Sequence, residues 1–138
     1  MTVLVTAAII QKGDKFLITQ RKDSSSFEAG KWEFPGGKVE FLEHPEQSLH
    51  REILEELNIK IKIHGIFEVA SHVYGKDHHV VVLAFLATFH SGELKNIDVQ
   101  DSRWVSLEEL KKYDFAAADL QILDKIKRLD MVDQNQAS

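Results

Sequence analysis

The chain has 138 residues, of which 43% are hydrophobic and 28% charged, with a formal net charge of −5 and no cysteine. That is the size of one domain with a proper core. The missing cysteines exclude disulfides, thiolate metal sites and a cysteine nucleophile. Scattered basic residues under a negative net charge argue against a nucleic-acid polymer as partner. There is neither a secretory N-terminal pattern nor an apolar run of bilayer length, so no membrane partner and a cytoplasmic location are expected.

Val3 to Ile10 is β-branched and apolar and predicts a buried strand. Gly13-Asp14 signals a turn, and Lys15 to Arg21 predicts its hairpin partner. Arg21 and Lys22 close that strand, either as an ordinary basic strand end or as phosphate contacts. Asp23 to Lys31 is a polar loop containing Ser24-Ser25-Ser26. Trp32-Glu33-Phe34-Pro35 then leads into Gly36-Gly37, a loop signal. Trp32 suits core packing, and Phe34 suits either packing or a ligand.

A helix is expected from Pro45, whose missing N–H costs nothing in the first turn. Leu49, Ile53 and Leu57 recur every four residues as an apolar stripe. Glu52, Glu55 and Glu56 stand at i, i+3 and i+4 on another face, where like charges repel by roughly 0.2–0.5 kcal/mol per exposed pair. The only basic neighbour is Arg51. A hard divalent cation relieves such crowding, and magnesium and manganese accept carboxylate oxygens while leaving positions for water and phosphate. The Gly pair adds bare backbone nearby. A solvated acidic face is the alternative, and it explains Glu40 or Glu46 alone better than it explains the trio with Arg51 and the Gly loop.

Beyond the helix, Lys60 to Ile63 and Phe67 to Val73 each predict a strand, Tyr74 to His78 a turn, and His79 to Phe89 a further strand. His78 and His79 are neighbours and so point to opposite faces of a strand, which argues against one shared metal ion. Ser91 to Gln100 is a polar connection containing Asp98. Arg103-Trp104-Val105 is a short strand. Ser106 with Glu109 forms a capping-box pattern opening a helix. Phe115 to Asp119 leads to a last helix, Leu120 to Leu129, with Asp119 as its candidate N-cap. The single domain is expected over residues 1–129, with 130–138 a frayed tail.

The run from Gly37 through Glu43, Arg51, Glu52, Ile53, Glu55 and Glu56 to Ile59 resembles the signature box of the Nudix hydrolases. Two positions depart from it. Asn58 replaces a usual Gly, and as the next best residue for a left-handed helix end it should keep the C-cap. Leu42 stands where many members have Gly, so the loop there is expected to differ in shape. Trp32 to Lys38 resembles the MutT-like nucleoside triphosphate diphosphatases within the family. The resemblance implies an α/β fold, a Nudix-type α/β/α sandwich around a mixed β-sheet.

It also implies a function. The expected substrate is a nucleoside triphosphate, with oxidised or methylated bases among the candidates, cleaved to a monophosphate and pyrophosphate with Mg2+ or Mn2+. Glu52, Glu55 and Glu56, a Gly36 carbonyl and Asp98 are the implied metal ligands, Asp98 directly or through water. Glu52 or Glu55 is the implied base, with Arg51 orienting a glutamate. Arg21, Lys22 and Lys38 are expected to meet phosphates, Phe34 to touch the ligand, and Asp119 to read the nucleobase edge. Other nucleoside diphosphate derivatives, such as ADP-ribose or dinucleoside polyphosphates, and a non-catalytic nucleotide sensor are the alternatives. Monomer and homodimer stay equally open.

Overall fold

The computed structural model describes residues 1–25 and 27–137, with side chains described as far as Asp130. Ser26, in the polar loop, and Ser138, at the end of the expected tail, lie outside the described residues. The elements run β1 (Thr2–Lys12), β2 (Lys15–Gln20), β3 (Trp32–Glu33), β4 (Gly36–Lys38), α1 (Pro45–Leu57), β5 (Ile59–Tyr74), β6 (His78–Gly92), β7 (Asp101–Val105), α2 (Leu107–Leu110) and α3 (Ala117–Ala137).

The seven strands form one mixed sheet ordered β3-β2-β1-β6-β5, with β4 paired to β1 and β7 to β2. β1 lies at its centre and is buried on both faces, which is why it reads as an unbroken apolar run. Ala7 and Ile9 point into one core with Val82, Ala84, Leu110 and Ile122. Ala8 and Ile10 point into the other with Leu49, Ile53, Leu57 and Phe85. One helical layer therefore covers each face, as the sandwich expected from the sequence requires.

One edge of β1 runs parallel to β6 from Thr2↔His79 to Gln11↔Thr88. Its other edge is divided. Gln11 and Lys12 pair with β2, while Val5, Thr6 and Ala7 pair antiparallel with β4. The Gly pair is thus a short strand rather than the loop read from its sequence. Only a residue without a side chain fits at Gly36, because a Cβ there would lie 2.0 Å from the Thr6 carbonyl oxygen.

Three boundaries also differ from the sequence reading. The strands expected at 60–63 and 67–73 are one strand, β5, bent by register shifts at Lys60/Ile61, Ile63/Gly65 and Ile66/Glu68. Such bulges bend a strand without ending it. α3 starts at Ala117, so Asp119 lies inside its first turn and is not its N-cap. Its backbone is helical to Ala137, beyond the Leu129 expected as the end of that helix.

α1 is capped at both ends. The His44 side chain accepts from Glu46 N–H, Gln47 reaches back to His44 N–H, and Asn58 takes the left-handed conformation at φ 61°. Ser106 and Glu109 form the expected capping box on α2. Leu42 also has positive φ, 69°, and is 89% exposed, so it bears a glycine-type backbone with no packing in return. Replacing Leu42 with Gly is therefore expected to stabilise the protein by about 0.5–1 kcal/mol, the left-handed strain offset in part by the freer unfolded chain. Urea unfolding checks this through a rise in the midpoint at constant slope; a fall would contradict it.

Candidate active site

α1 presents its acids to the β1–β4 pair. At about 100° of turn per residue, Glu52 and Glu56 lie close together on one face, while Glu55 lies between that face and Arg51. The side chains follow this placement. Glu52 packs against the bare backbone of Gly37, where a Cβ would stand 2.4 Å from Glu52 Oε2. Glu56, one turn further along α1, faces the same cavity as Glu52. Glu55 is 59% exposed and turns to Arg51.

Arg51 ties these groups together. Its Nε donates to Glu43 Oε2 at 2.8 Å and Nη2 to Glu43 Oε1 at 3.0 Å, a two-pronged contact. Nη1 donates to Glu52 Oε1 at 2.8 Å and to Glu55 Oε2 at 3.2 Å. Nη2 also reaches the Lys38 carbonyl at 3.2 Å. The Arg51 hydrogen bonds hold the Glu43 carboxyl down at about 2. Glu56 has no such cation. Burial first, then the charges of Glu52, Glu33 and Asp98, push its carboxyl up to about 9.

Two adjoining cavities meet here. The larger, of about 410 Å3, runs from Glu52, Glu56, Gly36, Gly37 and Lys38 to Phe34, Asp119, Glu28 and Tyr74. The smaller, of about 290 Å3, includes Lys22, Ser24, Ser25 and Asp98. Arg21, Glu33, Gly36 and Glu56 line both.

The residues singled out from sequence fall into three groups. Gly36, Glu52, Glu56, Lys38, Phe34, Arg21 and Asp119 share the larger cavity. Lys22 and Asp98 line the smaller one, joined by an ion pair of 2.7 Å, with the Asp98 side chain 66% exposed. Glu55 lines neither. Arg21 is not a free cation, since Nη1 donates to both oxygens of Glu33 at 3.0 and 3.2 Å and Nε to the Phe27 carbonyl. Phe34 is buried against Phe115, and its N–H donates to Asp119 Oδ2 at 2.8 Å. Burial first, and then Glu33, raises the Asp119 carboxyl well above the usual range.

Sequence reasoning missed Glu33, Glu28, Phe27 and Tyr74. Glu33 left a signal, being an acid flanked by Trp32 and Phe34 in a segment bound for the core. Burial raises its carboxyl and Arg21 opposes the shift. Glu28 and Phe27 stand in a polar loop that carries no such mark. Of the two histidines, His78 stacks on Phe27 at 4.6 Å on the cavity rim, while the His79 ring bonds Thr2 Oγ1. Trp32 is core, edge-on to Tyr113.

The donor set is all oxygen, and the Glu52 carboxyl packed on Gly37 stands beside Glu56, whose charged form burial and then neighbouring acids disfavour. That chemistry fits a hard divalent cation. Among the described residues, no three acids or histidines close a metal shell by themselves, which leaves coordination positions to water, backbone or substrate oxygens.

Residues 1–126 match the family model described as the NUDIX domain. Over 128 residues the chain is 41% identical to a CTP pyrophosphohydrolase of Escherichia coli strain K12, covering 91% of each chain. Over 125 residues it is 32% identical to an 8-oxo-dGTP diphosphatase of the same strain, covering 91% of this chain and 96% of that one. The fold is similar to the solution structure of the E. coli ORF135 protein, with a TM-score of 0.80 at 34% identity, covering 94% and 91% of the two chains. A MutT NUDIX hydrolase from Burkholderia pseudomallei also gives 0.80, at 28% identity and 91% and 98% coverage.

The Arg51–Glu43 contact has a pH signature. A carboxyl lowered from 4.5 to about 2 on folding contributes stability that is complete above its ordinary value and lost as pH falls through the folded one. Arg51→Ala is therefore expected to destabilise the protein at pH 7 and progressively less as pH falls from 4.5 toward 2. Urea unfolding of both proteins across that window measures it, and a pH-independent difference would contradict it. Lys in place of Arg51 should not restore the loss, because an ammonium cannot make the two-pronged contact.

Proposed function

Because this chain belongs to the NUDIX family and is accordingly a hydrolase, we propose that it cleaves nucleoside triphosphates to a monophosphate and pyrophosphate with magnesium or manganese. The single observation that carries this reading is the continuous cavity joining the carboxylates of α1 to the buried end at Phe34 and Asp119. One end suits a metal–polyphosphate and the other a base. Its volume of about 410 Å3 is that of a small-molecule site. The names of the relatives support a triphosphate over other derivatives.

A divalent ion held by Glu56 and the Gly36 carbonyl, with Glu52 beside it, would neutralise phosphate charge and acidify water. The chain's own residues supply the rest. Arg51 fixes the rotamers of Glu52 and Glu55, so the acids are oriented before substrate arrives. Lys38, exposed at the end of β4, meets a phosphate oxygen. Water attacks phosphorus as the anhydride P–O bond breaks, its proton passing to a glutamate and the electron pair leaving with pyrophosphate or the monophosphate. Glu52 faces the cavity and Glu55 does not, which favours Glu52 as that base. Asp98, paired with Lys22 at the neighbouring cavity, acts through water. Asp119 reads the base edge.

Glu56→Gln is expected to cut turnover by about a hundredfold or more while the fold persists. Metal-dependent pyrophosphate release over a nucleotide panel, with unfolding midpoints beside it, is the measurement; equal activity would remove the metal-site reading. Asp119→Ala is expected to alter the order of preferred bases more than the rate on the best one. An unchanged order on the same panel would leave Asp119 as a structural acceptor for Phe34.

A further inference from the structure

The inner end of the larger cavity brings two carboxyl groups together among mostly apolar walls. Its walls are apolar at Val3, Val80 and Val82 and aromatic at Phe27 and Tyr74. Two carboxyl groups stand among them. Asp119 is 7% exposed, and while Oδ2 accepts the Phe34 N–H, Oδ1 has no hydrogen-bond partner among the described residues. Glu28 is held from two sides. Its backbone sits at φ 57°, which few side chains other than Asn or Asp adopt readily, and its Oε1 accepts the Ala117 N–H at 3.2 Å. Glu28 Oε2 has no hydrogen-bond partner among the described residues. Tyr74 lies within the field of both, since burial and then Glu28 and Asp119 push its phenol up.

Among the described residues, the cavity's permanent cations form no ion pair with these acids, although the Arg21 charge partly offsets the upward shift of Asp119. Lys38 lies at the phosphate end, and Arg21 is engaged by Glu33 and the Phe27 carbonyl. A carboxyl oxygen that faces the cavity without a protein partner is better met by an occupant that brings an N–H than by one that brings a second acceptor. The nucleobases differ in that respect. Cytosine, adenine and guanine each carry an exocyclic amino group, whereas uracil and thymine present carbonyl oxygens beside a single ring N–H.

We infer that Glu28, with Asp119, selects nucleotides whose base carries an exocyclic amino group, and that Glu28 is a specificity-determining residue of this cavity. The inference rests on the diphosphatase reading above. CTP and UTP make the cleanest comparison, because they differ only where an amino group and ring nitrogen in one are a carbonyl and ring N–H in the other. In UTP the carbonyl oxygen would face Glu28 Oε2, one acceptor set against another. Gln at position 28 keeps an acceptor for the Ala117 N–H and offers an N–H in place of the second oxygen.

The test is kcat/KM for pyrophosphate release from CTP, UTP, GTP and ITP by the full-length chain and by Glu28→Gln. The unaltered chain is expected to favour CTP over UTP, and GTP over ITP, by about tenfold or more. Glu28→Gln should shrink the CTP-to-UTP ratio by about tenfold, chiefly by improving UTP. A ratio moved in this way is not what a merely structural role for Glu28 produces. Equal rates on CTP and UTP by the unaltered chain would overturn the inference, and so would an unchanged ratio in a Glu28→Gln protein with an unshifted thermal midpoint. Should that variant fail to fold, Glu28→Asp, which keeps the charge but withdraws the carboxyl by one methylene, should lower the CTP-to-UTP ratio by about threefold or more, and an unchanged ratio would overturn the inference. Release without discrimination defeats only the role of Glu28, whereas no release from any nucleotide defeats the diphosphatase reading and this inference with it.

Discussion

A single guanidinium organises the acidic helix. Arg51 takes both oxygens of Glu43, one each of Glu52 and Glu55, and the carbonyl of Lys38. These contacts reach from the loop before α1, across two turns of the helix, to the backbone of β4. Without that charge, carboxylates packed at helical spacing would repel one another and the strand carbonyl beside them. With it, three acids are placed, while a fourth, Glu56, has no ion pair among the described residues and feels the charges of Glu52, Glu33 and Asp98. The site is therefore uneven by construction, with acids paired to Arg51 on one side of α1 and Glu56 outside that network on the other.

The backbone provides the second half of this arrangement. β1 gives one edge to β6 and divides the other between β2 and β4. At the division the chain carries Pro35, Gly36 and Gly37, and the Pro35 carbonyl accepts the Ala8 N–H at 2.8 Å. Side chains on β4 would collide with Thr6 or with Glu52, so the glycines are needed for closeness and not for turning. The same strand pairs then carry the cavity away from the acids toward Asp119 and Glu28, which come from opposite ends of the sequence and meet at the start of α3.

Much of this was legible in the residue order, and the rest was hidden for physical reasons. α1 could be read from its four-residue stripe, from Pro45 and from the Asn58 cap, though not from the His44 cap, and Glu52 and Glu56 could be singled out from their spacing. The departure of Glu55 from the cavity could not, because three acids at i, i+3 and i+4 look alike until one knows which way Arg51 leans. Gly36-Gly37 hid a strand, since glycine has no side chain with which to show alternation. β5 appeared as two strands because a bulge shifts the period without breaking the chain. Glu28 gave no sign, because its partner Ala117 lies 89 residues away. Asp119 was recognised as a site residue through family resemblance, but its acceptance of the Phe34 N–H belongs to the packed state alone.

The parallel ladder between β1 and β6 bears on how the molecule is made. Every pair in it joins residues 77 positions apart, and such distant pairing is slow because a long intervening chain must first be brought to order. During synthesis the first strand leaves the ribosome long before its neighbour exists. A nascent chain stopped short of His79 has no β6 to cover β1, so a hydrophobic ribbon stays open to other chains. The central strand of the finished enzyme is thus the segment that most needs protection while the polypeptide is still growing.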